Sequence, residues 1–317
     1  MGRPGAGLRR DGPWLAPLAS PKGSAGRLGR PGAGLRHDGP MTLRVIDAPP
    51  RRGLAWVGMA FAQFLRRPLA FTLLFLVFLV AAMVLLAIPY IGAVLVLASL
   101  PLLTLGFMIA TRAAQQDQSV HVGQMVEPLL RAPEPARRAA LIRLCALYAA
   151  ATALVMWGSD AIDGGSFERL QVLLAGARSE ATTKEIDALL GDPRLHTGLM
   201  VRFGLSALLS IPFWHAPALV WWHGQGVPQS LFSSTLACWR NKGAFLLYGL
   251  AWAATVGLFG IAAGTLFALL GAPQLIGLAA VPAGLMFSTA FYISLYYSFA
   301  DCFAQSGDEP SIAPSLP

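Results

Sequence analysis

The sequence predicts an all-α polytopic membrane protein, with six transmembrane helices plus interfacial amphipathic helices. Charged residues make up only 13% of the chain and hydrophobic residues 55%, whereas an ordinary soluble domain is about 25% charged. Long apolar runs recur, and aromatic and basic residues gather where the runs end, as a membrane–water interface selects. The clearest junction spans 211–249, where Trp221 and Trp222 close one run and Arg240, Asn241 and Lys242 open the next.

The net charge of +8 raises nucleic acid as a partner, and its distribution argues against one. Residues 1–40 hold 7 Lys and Arg against 2 Asp and Glu, a net +5, and the remaining residues hold 17 against 14, a net +3. No basic stripe with interleaved aromatics is present. Cys145, Cys238 and Cys302 show no C-x-x-C spacing and read as free thiols.

Residues 2–13 (GRPGAGLRRDGP) and 29–40 (GRPGAGLRHDGP) form a near-perfect repeat. It has no hydrophobic periodicity and too little apolar surface to offset its ordering entropy, so 1–40 is expected to be disordered. It also lacks the apolar core of a signal peptide. Met41 is expected to be the native start, and 304–317 a second disordered tail.

Residues 53–65 are apolar but short, and Arg51, Arg52, Arg66 and Arg67 bracket them, so they predict an interfacial helix with Trp56 inserted. Span one, 69–88, opens after Pro68 and carries seven Leu, three Phe, three Val and one Ile with no charge. At about 0.3–0.6 kcal/mol each, these residues favour insertion by roughly 4–8 kcal/mol. The apolar run continues to Ala110, about twice the reach of a bilayer core, so the chain must turn back at Pro89–Gly92. Span two is 91–111, with Pro101 as an expected kink. A polar loop, 112–138, leads to span three, 139–158.

The long loop 159–197 predicts two short helices. One runs from Ser166 to Gly176, and the other opens on the capping box Thr182-Thr183-Lys184-Glu185 and stops at Gly191. Span four is 198–222, and a second interfacial helix is expected at 227–239. Spans five, 244–270, and six, 275–300, are joined by a tight turn. The segments 41–68, 111–143 and 222–243 hold 5, 5 and 2 basic residues; the long loop side holds 5, diluted by seven acids. The positive-inside rule therefore predicts both termini in the cytoplasm of a bacterial inner membrane. FLRRPLAFTLL (64–74) aligns with CWRNKGAFLLY (238–248), a faint parallel repeat.

No Asp, Glu, Lys or Arg lies deep within a span, which argues against an ion-coupled carrier. His215, between Pro212 and Pro217, is the one ionisable group inside a span. Each proline frees a backbone carbonyl, so polar groups open around it. A neutral His bonded to a freed carbonyl is the preferred reading, and a ligand pocket the sharper one, with Trp214, His215 and Asn241 as candidate ligand-binding residues. Gly249, Ala253, Gly257, Gly260 and Gly264 read as close helix packing at the bundle centre. Tyr292, Tyr296 and Tyr297 read as an aromatic belt, and Asp160, Asp163 and Glu168 as part of a solvated acidic loop. No phosphate-binding loop, nucleophile elbow or zinc motif occurs. The expectation is therefore no catalytic residue, no metal and no cofactor.

The run APALV at 216–220, Ser233, Cys238-Trp239-Arg240-Asn241 and Ala244–Gly249, with the Trp56 segment and Arg66-Arg67-Pro68, resembles a bacterial family of uncharacterised six-span inner-membrane proteins. The likeness covers about 41–303. It implies an all-helical inner-membrane fold and brings no activity and no functional residues. The functional expectation is a non-enzymatic membrane scaffold, or a subunit or modulator of a membrane complex, whose partners are the lipid bilayer and a membrane protein. The alternative is a transporter or lipid-handling protein with a cavity near His215.

Overall fold

A computed structural model describes residues 43–176, 180–272 and 275–305. The expectations for 1–40, for the Met41 start and for 306–317 lie outside the described residues, as do Pro273 and Gln274 of the tight turn. In chain order the elements begin with strand β1 (Leu43–Val45) and helices α1 (Arg52–Arg66), α2 (Pro68–Leu86) and α3 (Gly92–Gln115). A 3-10 turn (Val122–Met125) and the single-turn α4 (Glu127–Leu130) precede α5 (Pro135–Asp163), α6 (Ser166–Ala175) and α7 (Glu180–Leu190). There follow α8 (Pro193–Phe213), α9 (Ala216–His223), α10 (Val227–Arg240), α11 (Lys242–Leu269), α12 (Ile276–Cys302) and strand β2 (Phe303–Gln305).

Six of these segments are long and apolar enough to cross a membrane, with α8 and α9 counted together as one span. The protein is an all-α polytopic membrane protein. Proline marks the first turn of α2, α5, α8, α9 and α10, where its missing N–H costs nothing. The hairpin between α2 and α3 turns on Tyr90, held at φ +65°. Gly92 closes that hairpin, because a Cβ there would lie 2.2 Å from the Leu85 carbonyl oxygen. Only 17% of the apolar window of α2 is buried, against 39% for α3, so α2 faces lipid and α3 the bundle.

The two strands pair antiparallel, Leu43 with Gln305 and Val45 with Phe303. This small ribbon, absent from the sequence reading, takes in Ala304 and Gln305, which that reading gave to the C-terminal tail. It also places both ends of the membrane unit on one side. On that side α1 lies against α11 and α12 with Trp56 fully buried. Its neighbour Gly53 faces α11 so closely that a Cβ would sit 2.0 Å from the Ala244 carbonyl oxygen. Arg52 grips Asp301 at the end of α12 through two bonds of 2.6 and 2.8 Å, and the Trp56 indole N–H donates to the same carboxylate at 2.6 Å. This half-buried, two-pronged contact holds the Arg52 guanidinium even more firmly protonated than usual.

Several sequence expectations are corrected. The loop expected over 112–138 is shorter, because α3 runs to Gln115 and α5 starts at Pro135. It folds back on α3, where a Cβ on Gly106 would come within 2.7 Å of Met125 Sδ. Helix α7 begins at Glu180, so Thr182 lies inside its first turn rather than at its N-cap. Most of the small-residue stripe of α11 is turned outward, with nothing described within 4 Å of a Cβ on Gly249, Gly257 or Gly260, and only Gly264 meets α12, at 3.7 Å from Ile276 Cδ1. Tyr248, 3% exposed, takes the inward face with its neighbours Phe245 and Trp252. The tyrosines of α12 also turn inward rather than forming a belt, and Tyr292 stacks on Phe107 at 5.3 Å.

The carboxylates at the C-terminal end of α5 are not all solvated. Asp163 is buried and lies 3.5 Å from the buried Arg202 guanidinium of α8, which also bonds Asp160. Gly198 lets α8 come that close, since a Cβ there would meet Asp163 Cβ at 2.5 Å. The Arg202 guanidinium lies 4.2 Å above the centre of the Phe167 ring.

Replacing Gly53 with Ala forces α1 off α11. Such overpacking costs about 1–3 kcal/mol, so thermal melting of the detergent-solubilised G53A protein is expected several degrees lower. An unchanged melting temperature would show that α1 does not dock so closely.

Candidate functional site

Span four does not cross as one helix. It breaks at Trp214 and His215, between α8 and α9, where the sequence reading expected continuity from 198 to 222. Pro212 and Pro217 cause the break, because each lacks an N–H and its ring crowds the carbonyl four residues earlier. A broken helix at bilayer depth is tolerated only where the protein supplies partners for the exposed backbone groups.

Those partners come from α10. The His215 backbone N–H donates to Ser234 Oγ at 3.0 Å, and the Ser234 hydroxyl donates to the Ile211 carbonyl at 2.9 Å. Cys238 lies one turn further along α10, its sulfur 3.8 Å from the same carbonyl. One serine thus bridges a donor and an acceptor on either side of the break. Beyond it, α9 ends on Gly224 at φ +63°, and Arg137 from α5 donates to the Trp221 carbonyl at 2.9 Å.

The side chains at the break converge on α12. The Ser298 hydroxyl donates to the Leu295 carbonyl at 2.9 Å and accepts from the Trp214 indole N–H at 3.3 Å. His215 Nε2 lies 3.2 Å from the same oxygen. When Ser298 gives its proton to Leu295, it accepts from His215 in the tautomer that is protonated on Nε2. Nδ1 is then left without a partner. The ring is fully buried among Phe245, Phe299 and Phe303, with centroids 5.4–5.9 Å away. The sequence reading bonded this histidine to a carbonyl freed by proline; here its ring meets the Ser298 hydroxyl on another helix, and Ser234 takes the Ile211 carbonyl.

A cavity of about 150 Å³ lies beside the break, lined by Pro101, Thr104, Tyr148, Ser210, Trp214 and Tyr292 among others. Trp214 reaches it; His215 does not. Asn241, at the junction of α10 and α11, joins neither. Its amide N–H groups face the Ile46 and Ala237 carbonyls at 2.9 and 3.0 Å, and its oxygen accepts from the Ala48 N–H at 2.6 Å. Next to it Arg240 binds Asp47 through bonds of 2.9 and 2.7 Å. Asn241 is therefore a latch between the segment after β1 and the end of α10. Of the three candidate residues, the structure brings two to one hydroxyl and assigns the third to a different task.

The sequence missed Ser234, Ser298, Arg52 and Asp301. Asp301 was findable: it is an acid at the end of an apolar span, and Arg52 and Trp56 share one face of a short helix at four-residue spacing. Serines inside apolar helices carry no comparable signal. Among the described residues no three His, Cys, Asp or Glu side chains gather into a metal-binding group.

No family model matches the chain, and no solved structure matches it. Over 281 residues, the chain is 34% identical to a probable inner membrane protein of Burkholderia thailandensis, a match covering 87% of this chain and 98% of that protein.

Burial pushes the Cys238 thiol, beside the break, up to about 12. Thiolate is the reactive form, so maleimide labelling of Cys238 is expected to be slow near neutral pH and to speed up as pH rises. Ser234→Ala leaves the His215 N–H and the Ile211 carbonyl without their shared partner, at a cost of about 1–3 kcal/mol. Peptide mapping should show faster Cys238 labelling in S234A than in wild type; equal rates would mean that Ser234 does not hold α10 to the break.

Proposed function

The chain belongs to the same family as that probable inner membrane protein, and from this premise we propose that it is a non-enzymatic scaffold of the inner membrane, a subunit or modulator of a larger complex. The sealed break carries this reading. A carrier's discontinuous helix opens its break onto a substrate site, whereas here α10, α12 and three phenylalanine rings close over it. The cavity of about 150 Å³ falls short of the roughly 300–1,000 Å³ that drug-sized ligands occupy. We place the ribbon side, with its segments of 5, 5 and 2 basic residues, in the cytoplasm, and the acid-rich α6–α7 side outside.

One observation favours the second reading, a lipid-handling or transport protein. The break is flanked by a cavity, and Trp214, Ser210, Tyr148 and Tyr292 give that cavity polar edges. The two readings separate by water access.

In S210C and T104C variants reconstituted in liposomes, a membrane-impermeant maleimide added from either side should leave both thiols unmodified. Labelling of both from one face would favour the carrier. Native mass spectrometry of the complex drawn from its own membrane should then show a stoichiometric protein partner, and a specifically retained metabolite without one would contradict the scaffold. Alkaline phosphatase inserted at Gly164 should be active, as an external site requires; an inactive fusion reverses the orientation.

A further inference from the structure

The arginines of this protein fall into two groups. Among the described residues Arg52, Arg67, Arg137, Arg169, Arg202 and Arg240 each pair with a carboxylate. The other described arginines pair with none, and of these Arg112 and Arg131 line one cleft of about 610 Å³ on the ribbon side of the membrane unit. The cleft lies between the last turn of α3, the folded-back 3-10 turn and the end of α9, and His121, Gln116, Glu127 and Trp222 also line it.

The walls of the cleft are held by contacts on both sides of the 3-10 turn. The Arg67 guanidinium bonds the Gln118 carbonyl and pairs with Asp117 at 3.7 Å, fixing the chain as it leaves α3. The His121 and Gln124 side chains cap the 3-10 turn reciprocally, the His121 N–H donating to Gln124 Oε1 at 3.1 Å. Arg112 lies with its guanidinium 5.3 Å from the centre of the Trp222 ring, a contact that orients it without neutralising it. Two exposed cations thus face a polar space that contains a single carboxylate, Glu127.

We propose that this cleft binds a phosphate-bearing anion, the Arg112 and Arg131 guanidiniums taking the phosphate oxygens and Glu127 with Gln116 taking hydroxyl groups on the ester. Guanidinium matches phosphate in charge and in the geometry of its paired donors. Trp222 and the end of α3 stand where an interface forms, so an anionic phospholipid headgroup reaches the cleft directly from the bilayer. A soluble phosphate ester offers the same chemistry from the cytoplasmic solution.

The test is native mass spectrometry of the full-length protein in detergent, titrated with phosphatidylglycerol, with phosphatidylcholine, or with glycerol 3-phosphate alone. Wild type is compared with the double variant R112Q/R131Q and with R44Q/R138Q, which removes two exposed arginines of the same side that do not line the cleft. Binding of phosphatidylglycerol over phosphatidylcholine, weakened about tenfold or more in R112Q/R131Q and unchanged in R44Q/R138Q, supports a lipid source. Binding of glycerol 3-phosphate with the same dependence on Arg112 and Arg131 supports a soluble one. Equal weakening in both double variants would overturn the site and leave only a diffuse basic rim, as would absence of binding by either probe. The substituted side chains are exposed, so matching thermal melts of the three proteins are the expected control.

Discussion

A backbone broken inside a bilayer must find its hydrogen bonds within the protein, and that requirement explains the centre of this molecule. Pro212 and Pro217 remove two donors from span four, and the helix stops for the length of Trp214 and His215. A buried backbone group left without its partner costs about 1–3 kcal/mol. Ser234 covers both a donor and an acceptor of the break, which ties α10 to it, and Ser298 collects the two side chains, which ties α12 to it. Helix α10, an interfacial segment by sequence, thereby becomes part of the bundle's framework.

A second set of contacts closes the structure where the chain enters and leaves the membrane. The β1–β2 ribbon, the Arg52–Asp301–Trp56 cluster and the Asn241 latch all lie on one side. They join the first and last described segments and seat α1 between α11 and α12. Far from this side, Arg202 and Asp163 fasten α8 to α5. Six described arginines are thus committed to carboxylates, and among the others Arg112 and Arg131 stand apart because both line one cleft. Only 17% of the apolar window of α2 and of α11 is buried, and α11 is held to α12 by the 2.7 Å hydrogen bond between Tyr248 and Ser294.

The six apolar spans were legible because apolar length reports directly on the bilayer, whereas Trp56, expected to insert at the interface, is buried against α11 and α12 instead. Span one, for example, differs from α2 by only one or two residues at each end. Helix faces were not legible. Spans apolar all round give no periodicity, so the outward Gly249–Gly260 stripe and the inward tyrosines of α12 could not be read. The break itself was half visible in its two prolines, but its partners come from 19 and 83 residues further along the chain. Nothing in the local sequence names Ser234 or Ser298. Burial of Asp163 was hidden for a similar reason: its partner Arg202 lies on another helix, and Gly198, which admits it, looks like any small residue in a span.

The central claim is that the break in span four is sealed and hydrogen-bonded. Residue-resolved hydrogen–deuterium exchange of the protein in lipid nanodiscs tests it most directly at the amide of His215. The account predicts exchange as slow as that of mid-helix amides in α12, because the His215 N–H is fully buried and donated to Ser234. Exchange at the rate of the exposed turn at Tyr90 would contradict it and would make the break an open, water-filled site.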